Sequence, residues 1–190
     1  MILKALENVR SHRSFTEKTI SKGELYRMIE GARVGASARN AQAVRFFCVT
    51  DKKVCDDIFA QIKWAAAISW NPAIEESPRG YIILCAENPA NQSEPLLHFD
   101  MGIASQNILL LASEIGYGGC IIGAYNKKEV ERIIGLPEKY KSYFIIALGE
   151  AKDKVKLENA ENGDTKYHRD NSNNHFVPKL SLDELIIGNR

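Results

Sequence analysis

The 190-residue sequence predicts one α+β domain, a β-sheet with helices packed around it. Runs rich in β-branched and aromatic residues alternate along the chain with segments whose apolar residues have helical spacing. One segment, residues 100–115, is apolar nearly all round, as is typical of a buried central helix. The length suits a single domain with a substantial core, so we expect residues 1–190 to fold as one domain.

The helices are indicated by apolar spacing and by residues that favour helix ends. Ser21 and Glu24 form a capping-box pattern. Asn126 is placed to cap a later helix, and Gly116 is placed to end the central one. Helices are therefore predicted over residues 2–10, from Ser21 to near Gly35, over 53–68, over 100–115 and over 127–134, with a short amphipathic segment over 180–187.

The strands are indicated by short apolar runs between loops. They are predicted over residues 46–50 (FFCVT), 81–86 (YIILCA), 120–125 (CIIGAY) and 143–151 (YFIIALGEA). Residues 152–180 turn polar and aperiodic, so the tail formed by residues 152–190 is either disordered or wraps a partner subunit. Its apolar end, with Leu182, Leu185 and Ile186, favours wrapping.

Composition excludes several classes of partner. The net charge of +1 argues against nucleic acid or an anionic membrane, because both require a concentrated basic face. The N-terminal MILKALENVR is too short and too charged for a signal peptide, and no apolar run reaches the ~20 residues of a membrane span. We therefore expect a cytoplasmic protein.

The cysteines are scattered rather than clustered. No CxxC pair occurs, so buried free thiols in a reducing cytosol are favoured over disulfides, and no clustered ligands indicate a metal site. The four residues are Cys48, Cys55, Cys85 and Cys120.

Two stretches have the residue types of a ligand site. Arg10-Ser11-His12-Arg13 follows the first helical pattern, and paired arginines with a hydroxyl are suited to phosphate oxygens. The alternative is that these basic residues only complement the dipole at a helix end.

The second stretch, GASARNAQAVRF over residues 35–46, is long for a helix-to-strand connection. Its alanines leave room for close approach, and Ser37, Asn40 and Gln42 supply directed donors and acceptors. The alternative is a polar loop that closes its own turns. It precedes a strand and contains neither GxGxxG nor a P-loop motif, so it is not a Rossmann fingerprint.

Five motifs follow one another along the chain. The first motif has the form RSxRxF and is matched by Arg10, Ser11, Arg13 and Phe15. The second has the form (P/A)SxxNxQPxxF and is matched by Ala36, Ser37, Asn40, Gln42 and Phe46. The others are matched by Gly116, Gly118 and Gly123 (GxGxxxxG), by residues 134–137 (LGLP-like) and by residues 147–149 (ALG). In this order, over roughly residues 1–50 and 100–150, the sequence resembles the FMN-dependent nitroreductase family.

Two positions depart from the family pattern. Ala43 stands where a proline usually follows the glutamine of the loop, and Val9 stands where the family often has a first arginine. Neither change removes a donor that the implied site needs.

The resemblance implies an α+β sandwich with a central antiparallel or mixed sheet that dimerises around the long central helix. Two FMN sites would lie at the interface of the homodimer. The FMN phosphate would be held by Arg10, Ser11 and Arg13. Arg169 is the candidate for a late basic residue on the phosphate, with Lys166 second; the alternative is a solvated charge in the tail.

The resemblance also implies contacts to the rest of the cofactor. Ser37 and Asn40 would contact the ribityl chain or the flavin edge, and Gln42 the isoalloxazine. Ile122 and Gly123 would lie against the flavin, with their backbone N–H groups near its N5 side.

The implied activity is that of an NAD(P)H oxidoreductase. NADH or NADPH would deliver hydride to flavin N5 and leave. An electron-poor acceptor such as a nitroaromatic or a quinone would then bind the same face of the flavin. This is a ping-pong cycle, and its chemistry is carried by FMN. A positive charge near N1/O2 would stabilise the reduced ring, and Arg45 and Lys63 are the candidates, ahead of Arg39. Residues 64–80, which include Trp64 and Trp70, are the candidate lid, although packing is the better interpretation of both tryptophans.

Three other functions are kept as alternatives. An enzyme of the same fold but another class would consume the flavin or dehalogenate its substrate. A non-enzymatic FMN-binding protein would bind flavin without turnover by a nicotinamide donor. An unrelated α+β binding module would be colourless. We favour the NAD(P)H oxidoreductase.

Overall fold

The computed structural model of the chain describes residues 2–64, 70–172 and 174–188. They form two compact units, one ending at Lys152 and the other beginning at Asp153. Each unit has its own sheet, and each is described by itself.

The first unit contains five α-helices and four strands within its described residues. In chain order these are α1 (Ile2–Asn8), α2 (Lys22–Arg33), β1 (Arg45–Val49), α3 (Lys52–Phe59), β2 (Gly80–Glu87), α4 (Glu94–Glu114), β3 (Gly118–Ile122), α5 (Lys127–Ile134) and β4 (Tyr140–Gly149). Short 3₁₀ turns occur at Ala38–Asn40 and Ile74–Glu76.

The four strands form one antiparallel sheet in the order β1-β2-β4-β3. Side chains alternate between its two faces. Ile82, Leu84 and Ile146 face a core shared with α2 and α4, whereas Ile83 and Ile145 face a second core shared with α3 and α5. The predicted α+β class, a sheet with helices packed around it, is therefore confirmed.

Helix α4 packs against α2 as well as against the sheet. Gly31 of α2 lies so close to α4 that an added Cβ would be 3.0 Å from Leu111 Cδ1. Asn107 of α4 donates a hydrogen bond to the Gly31 carbonyl at 3.1 Å. The outer side of α4 is not covered by the first unit, since Leu96 is 38% exposed and Phe99 is 66% exposed.

The predicted helix ends are present. Ser21 and Glu24 form a reciprocal capping box at the start of α2, and Asn126 accepts the Glu129 N–H at the start of α5. Helix α5 ends at Gly135, whose left-handed φ of 61° closes the last turn.

The segment after α1 runs beside the sheet. The His12 N–H donates to the Gly119 carbonyl of β3 at 3.0 Å, and the Thr16 N–H donates to the Glu150 carbonyl at 2.9 Å. Phe15 is 1% exposed and packs against Gly149. An added Cβ on Gly149 would be 2.8 Å from the Phe15 ring. These contacts fix Arg10–Arg13 beside the first residues of β3.

The second unit has a three-stranded sheet and a short helix. Its elements are β5 (Val155–Asn159), β6 (His168–Arg169), β7 (His175–Lys179) and α6 (Leu182–Leu185). The strand order is β5-β7-β6, with β5 and β7 parallel. Ser181 and Glu184 form a capping box at the start of α6.

One predicted helix was wrong in its extent. The predicted helix over 53–68 ends at Phe59, because the chain then turns to pair with the segment after β3: Ile62 bridges Tyr125, and the Lys63 N–H donates to the Ala124 carbonyl at 2.9 Å. Residues 65–69 lie outside the described residues. The tail over 152–180 contains strands of two to five residues, too short and too polar to show a period in the sequence.

Two features are absent from the described part of the chain. None of its helices combines the length and the apolar composition required to cross a membrane. No group of three or more His, Cys, Asp and Glu side chains in it is placed to hold a metal ion.

The contact of Gly119 with α4 and β4 yields a test of the fold. An added Cβ would lie 2.6 Å from the Ala147 carbonyl oxygen and 2.8 Å from Leu109 Cδ2. We expect Gly119→Ala to lower the free energy of unfolding by about 1–3 kcal/mol, the usual cost of overpacking. Urea unfolding followed by circular dichroism measures this.

The matched control is Gly23→Ala in α2, where an added Cβ would be 3.9 Å from Ser21 Oγ, its nearest neighbour. Its stability should be unchanged or up to about 1 kcal/mol higher, because alanine restricts the unfolded chain. Equal losses in both variants would contradict the packing of Gly119.

Candidate functional site

The first group of candidate residues lies beside the start of β3. Ser11 forms a parallel bridge with Gly119, so the segment from Arg10 to Arg13 continues the sheet beyond its edge strand. A small cleft of about 190 Å³ lies there, lined by residues that include Arg10, His12 and Gly118. An added Cβ on Gly118 would be 2.7 Å from the His12 ring, so the close approach of the two segments requires glycine.

The Arg10 side chain is half-buried in this cleft. One of its terminal nitrogens donates to the Leu6 carbonyl at 2.9 Å, whereas its Nε is buried and has no hydrogen-bond partner in the described part of the chain. Burial lowers the pKa of Arg10, and the charge of Glu7 partly opposes that shift. A held guanidinium with a buried, unused donor is suited to an anionic ligand.

The second group lies at the other end of β3. Lys63 and Gly123 line a cleft of about 540 Å³ together with Tyr125 and Asn126. Lys63 is exposed and enters the cleft from the segment that pairs with residues after β3. The Ile122 side chain is 6% exposed and belongs to the core, so this residue offers the cleft its backbone alone.

The open edge of β3 connects these two clefts. The Gly119 carbonyl points away from β4 toward His12, and backbone direction alternates along a strand, so the N–H and C=O of Ile121 face the same open edge. The Ile121 side chain is 42% exposed. From Gly119 to Gly123 the strand rises about 13 Å at about 3.3 Å per residue.

The third group lies in the loop from Gly35 to Val44. Ser37 Oγ accepts the Gln42 N–H at 3.2 Å, and the Arg45 guanidinium donates to the carbonyls of Gln42 and Val44. Asn40 is exposed. Arg39, Asn40 and Gln42 all have left-handed φ angles, near 50°, which non-glycine residues seldom adopt.

This loop borders a cleft with a volume of about 1060 Å³. The cleft lies among α2, β1 and α4. Its lining includes Ser37, Gln42, Arg45, Tyr26, Phe46 and Asp100.

A single chain does not bring the loop and the Arg10–Arg13 segment together. The loop leads into β1 and the segment pairs with β3, and these strands are the opposite edges of the sheet. With three spacings of about 4.8 Å between them, the two edges are about 14 Å apart.

The late basic candidates belong to the second unit. An Arg169 terminal nitrogen lies 3.7 Å from Asp153 Oδ2, and the two side chains are 9% and 2% exposed. Lys166 is exposed. The alternative of a solvated charge is therefore wrong for Arg169, which is a buried, ion-paired residue, while its role toward a phosphate stays a prediction.

The tryptophan and cysteine predictions concern packing. Trp64 is 6% exposed, its ring centroid lies 5.1 Å from that of Phe59 in a tilted contact, and its indole N–H donates to the Phe59 carbonyl, as in a packing residue. The predicted lid over residues 64–80 falls partly on 65–69, outside the described residues.

All four cysteines are free thiols, and burial raises the pKa of Cys48, the least buried, to about 11.

Sequence reasoning missed Asp100. This carboxylate is 2% exposed and accepts the Ala38 N–H of the loop at 2.9 Å. The signal in the sequence is one acidic residue at the start of an otherwise apolar helical pattern.

The arrangement can be compared with known proteins. Residues 6–150 match the family model described as the nitroreductase family. A protein of Archaeoglobus fulgidus that carries the provisional name NADH dehydrogenase/NAD(P)H nitroreductase is 26% identical over 160 residues, which cover 80% of this chain and 86% of that protein.

Two solved structures have the same fold. An FMN-dependent nitroreductase from Clostridium difficile R20291 superposes with a TM-score of 0.68 at 21% identity, covering 89% of this chain and 98% of that one. A provisionally named nitroreductase from Desulfovibrio desulfuricans, solved in complex with FMN, gives a TM-score of 0.67 at 21% identity and covers 100% and 96%.

Proposed function

Because the chain belongs to the nitroreductase family, we propose that it is an FMN-dependent oxidoreductase that takes its electrons from NADH or NADPH. The observation that carries this proposal is the edge of β3, with the buried Arg10 donor at one end and Lys63 and Gly123 at the other. The FMN complex of the D. desulfuricans relative supports the choice of cofactor.

The residues present fit FMN. Arg10, Ser11 and Arg13 would hold the phosphate, since the unused Arg10 Nε is a buried donor that a phosphate oxygen can accept from. The ring would lie toward Gly123, along backbone donors of the open strand edge.

Bound FMN supplies hydride chemistry, taking two electrons from a nicotinamide donor and passing them to an acceptor such as a nitroaromatic or a quinone. The chain's part is to bind, to orient and to supply charge. Of the basic candidates, Lys63 is exposed in the cleft beside Gly123, whereas the Arg45 guanidinium is engaged by loop carbonyls. We therefore place Lys63 near the N1/O2 edge and assign Arg45 to the loop.

The site is completed by a second copy of the chain. Ser37, Asn40 and Gln42 lie at the opposite sheet edge from Arg10, so we propose that the loop of one protomer contacts the FMN held by its partner. The apolar surface left exposed by Phe99 of α4 and by Ile2 of α1 supports a homodimer. The exposed Leu182 of α6 supports contact of the tail with the partner.

The test of this function is the visible spectrum of the purified protein, followed anaerobically as NADH and then NADPH is added. We expect bands of bound oxidised flavin that bleach with at least one donor. A yellow protein that neither donor bleaches would favour a flavin-consuming or non-enzymatic protein. A colourless protein that does not take up added FMN would overturn the proposal.

The phosphate assignment predicts the behaviour of a double variant. Ser11→Ala with Arg13→Ala should weaken FMN binding by at least about tenfold, since a hydrogen bond to a charged group contributes about 1.5–3 kcal/mol. Titration of the apoprotein with FMN, followed by flavin fluorescence, measures the affinity. Full occupancy in a folded double variant would contradict the assignment.

The composite site predicts complementation between two defective chains. Chains carrying Ser11→Ala and Arg13→Ala are mixed, unfolded and refolded with chains carrying Ser37→Ala and Asn40→Ala. Half of the dimers would be mixed, each with one intact site, so about one quarter of the wild-type activity should return. The control is each variant refolded alone. Activity no higher than in these controls would place the whole site within one chain.

The position of Lys63 predicts a shift in flavin potential. Lys63→Met should make the bound flavin harder to reduce, by on the order of 30 mV, because a nearby cation favours electron uptake. Lys53→Met is the control, since that lysine is exposed on α3 and paired with Asp57. The flavin potentials are measured by dye equilibration. Equal potentials in the wild type and in Lys63→Met would show that Lys63 does not lie near the flavin ring.

A further inference from the structure

Asp100 is a buried carboxylate beneath the loop. It is 2% exposed on α4, its Oδ1 accepts the Ala38 N–H at 2.9 Å, and its Oδ2 accepts the Gln92 side-chain amide at 3.0 Å. A carboxylate buried to this degree is retained only where donors satisfy it. Both of its oxygens are committed to hydrogen bonds within the chain.

The Ala38 N–H that bonds to Asp100 lies next to the residues of the loop that have left-handed backbone angles. Ala38 begins the 3₁₀ turn that contains Arg39 and Asn40, both with φ of 53°, and Gln42 follows with φ of 46°. Left-handed non-glycine residues persist only where surrounding contacts hold them. Two of the three residues proposed to contact the cofactor, Asn40 and Gln42, are therefore residues whose backbone must be held.

Among the described residues, the other hydrogen bonds of the loop do not reach α4, although Ala43 packs in the core that α4 shares. The Ser37–Gln42 hydrogen bond lies within the loop, and the Arg45 bonds join the loop to the strand that follows it. The Asp100 bond joins Ala38 to a helix whose neighbouring residues, Leu97 and Met101, are fully buried. This hydrogen bond thereby ties the loop to a helix that is anchored in the core of the first unit.

We propose that Asp100 is a positioning residue: acting through the Ala38 N–H, its carboxylate holds the loop in the conformation that presents Ser37, Asn40 and Gln42 to FMN. The proposal rests on the proposed function for the identity of the ligand. Asp100 itself does not contact the ligand.

Two substitutions separate the hydrogen bond from the branched shape and the charge. Asp100→Asn keeps an oxygen for the Ala38 N–H, and the Gln92 amide can rotate to accept from the new Nδ2. Asp100→Leu keeps the branch at Cγ, with larger methyl groups, but has no acceptor, so the Ala38 N–H loses its buried partner. The asparagine variant should rescue what the leucine variant loses.

The first measurement is amide hydrogen exchange of the flavin-free protein over residues 36–46. In Asp100→Leu, exchange at Ala38 and its neighbours should rise at least about tenfold toward the rate of an open loop, while α2 and the sheet keep their protection. In Asp100→Asn, protection should remain close to that of the wild type. Unchanged exchange in Asp100→Leu would overturn the proposal without reference to any cofactor.

The second measurement is complementation, which a general loss of folding would not give. Asp100→Leu alone should lose about 10- to 100-fold in kcat/KM, the scale of a misplacement by about 1 Å. Refolded with the Ser11→Ala, Arg13→Ala chain it should regain activity, because its own phosphate segment is intact. Refolded with the Ser37→Ala, Asn40→Ala chain it should not.

The outcomes are distinguishable from failure of the proposed function. If the wild type binds no flavin, the function fails while hydrogen exchange still decides whether Asp100 holds the loop. If the wild type is active and Asp100→Leu complements neither chain, Asp100 acts on the whole fold and the proposal is wrong. If Asp100→Asn is as defective as Asp100→Leu, the charge rather than the hydrogen bond matters, and the proposal is likewise wrong.

Discussion

Helix α4 packs against the sheet on one side and against α2 on another, and this contact helps to position the other parts of the first unit. Leu97, Met101 and Ile108 are fully buried there, each contributing about 1.5–3 kcal/mol of burial free energy. Such packing tolerates little adjustment, as the close approaches at Gly31 and Gly119 show. A loop or strand that contacts α4 is therefore held in a fixed position by that contact.

Two polar side chains of α4 hold backbone groups of neighbouring segments in place. Asp100 and Asn107 project from α4 to backbone groups of the loop and of α2, whereas the candidate ligand residues lie at the periphery of the sheet. The sheet separates the two sets of candidate residues by its full width. A flat cofactor between two protomers would meet one set from each, so the dimer rather than the chain is the functional unit that we propose.

Much of this organisation was predictable from sequence. Capping patterns at Ser21 and Asn126 and the apolar run of α4 reflect local physics, so helices and the α+β class were predicted correctly. The end of α3 and the strands of the second unit depend on pairing with distant segments, which a local pattern does not encode. For the same reason the motifs indicated which residues form the candidate site, but not that a single chain separates them.

The pairing of residues 11–16 with β3 and with the end of β4 has a consequence for synthesis. The ribosome releases residues 10–16 long before Gly119 and Ala151, the bridge partners of Ser11 and Phe15. Contacts so distant along the chain form late, after local helices and hairpins. A nascent or truncated chain that lacks β4 has the basic segment without the surface that orders it. The segment from Arg10 to Arg13 is therefore held in place only in chains that have completed the sheet.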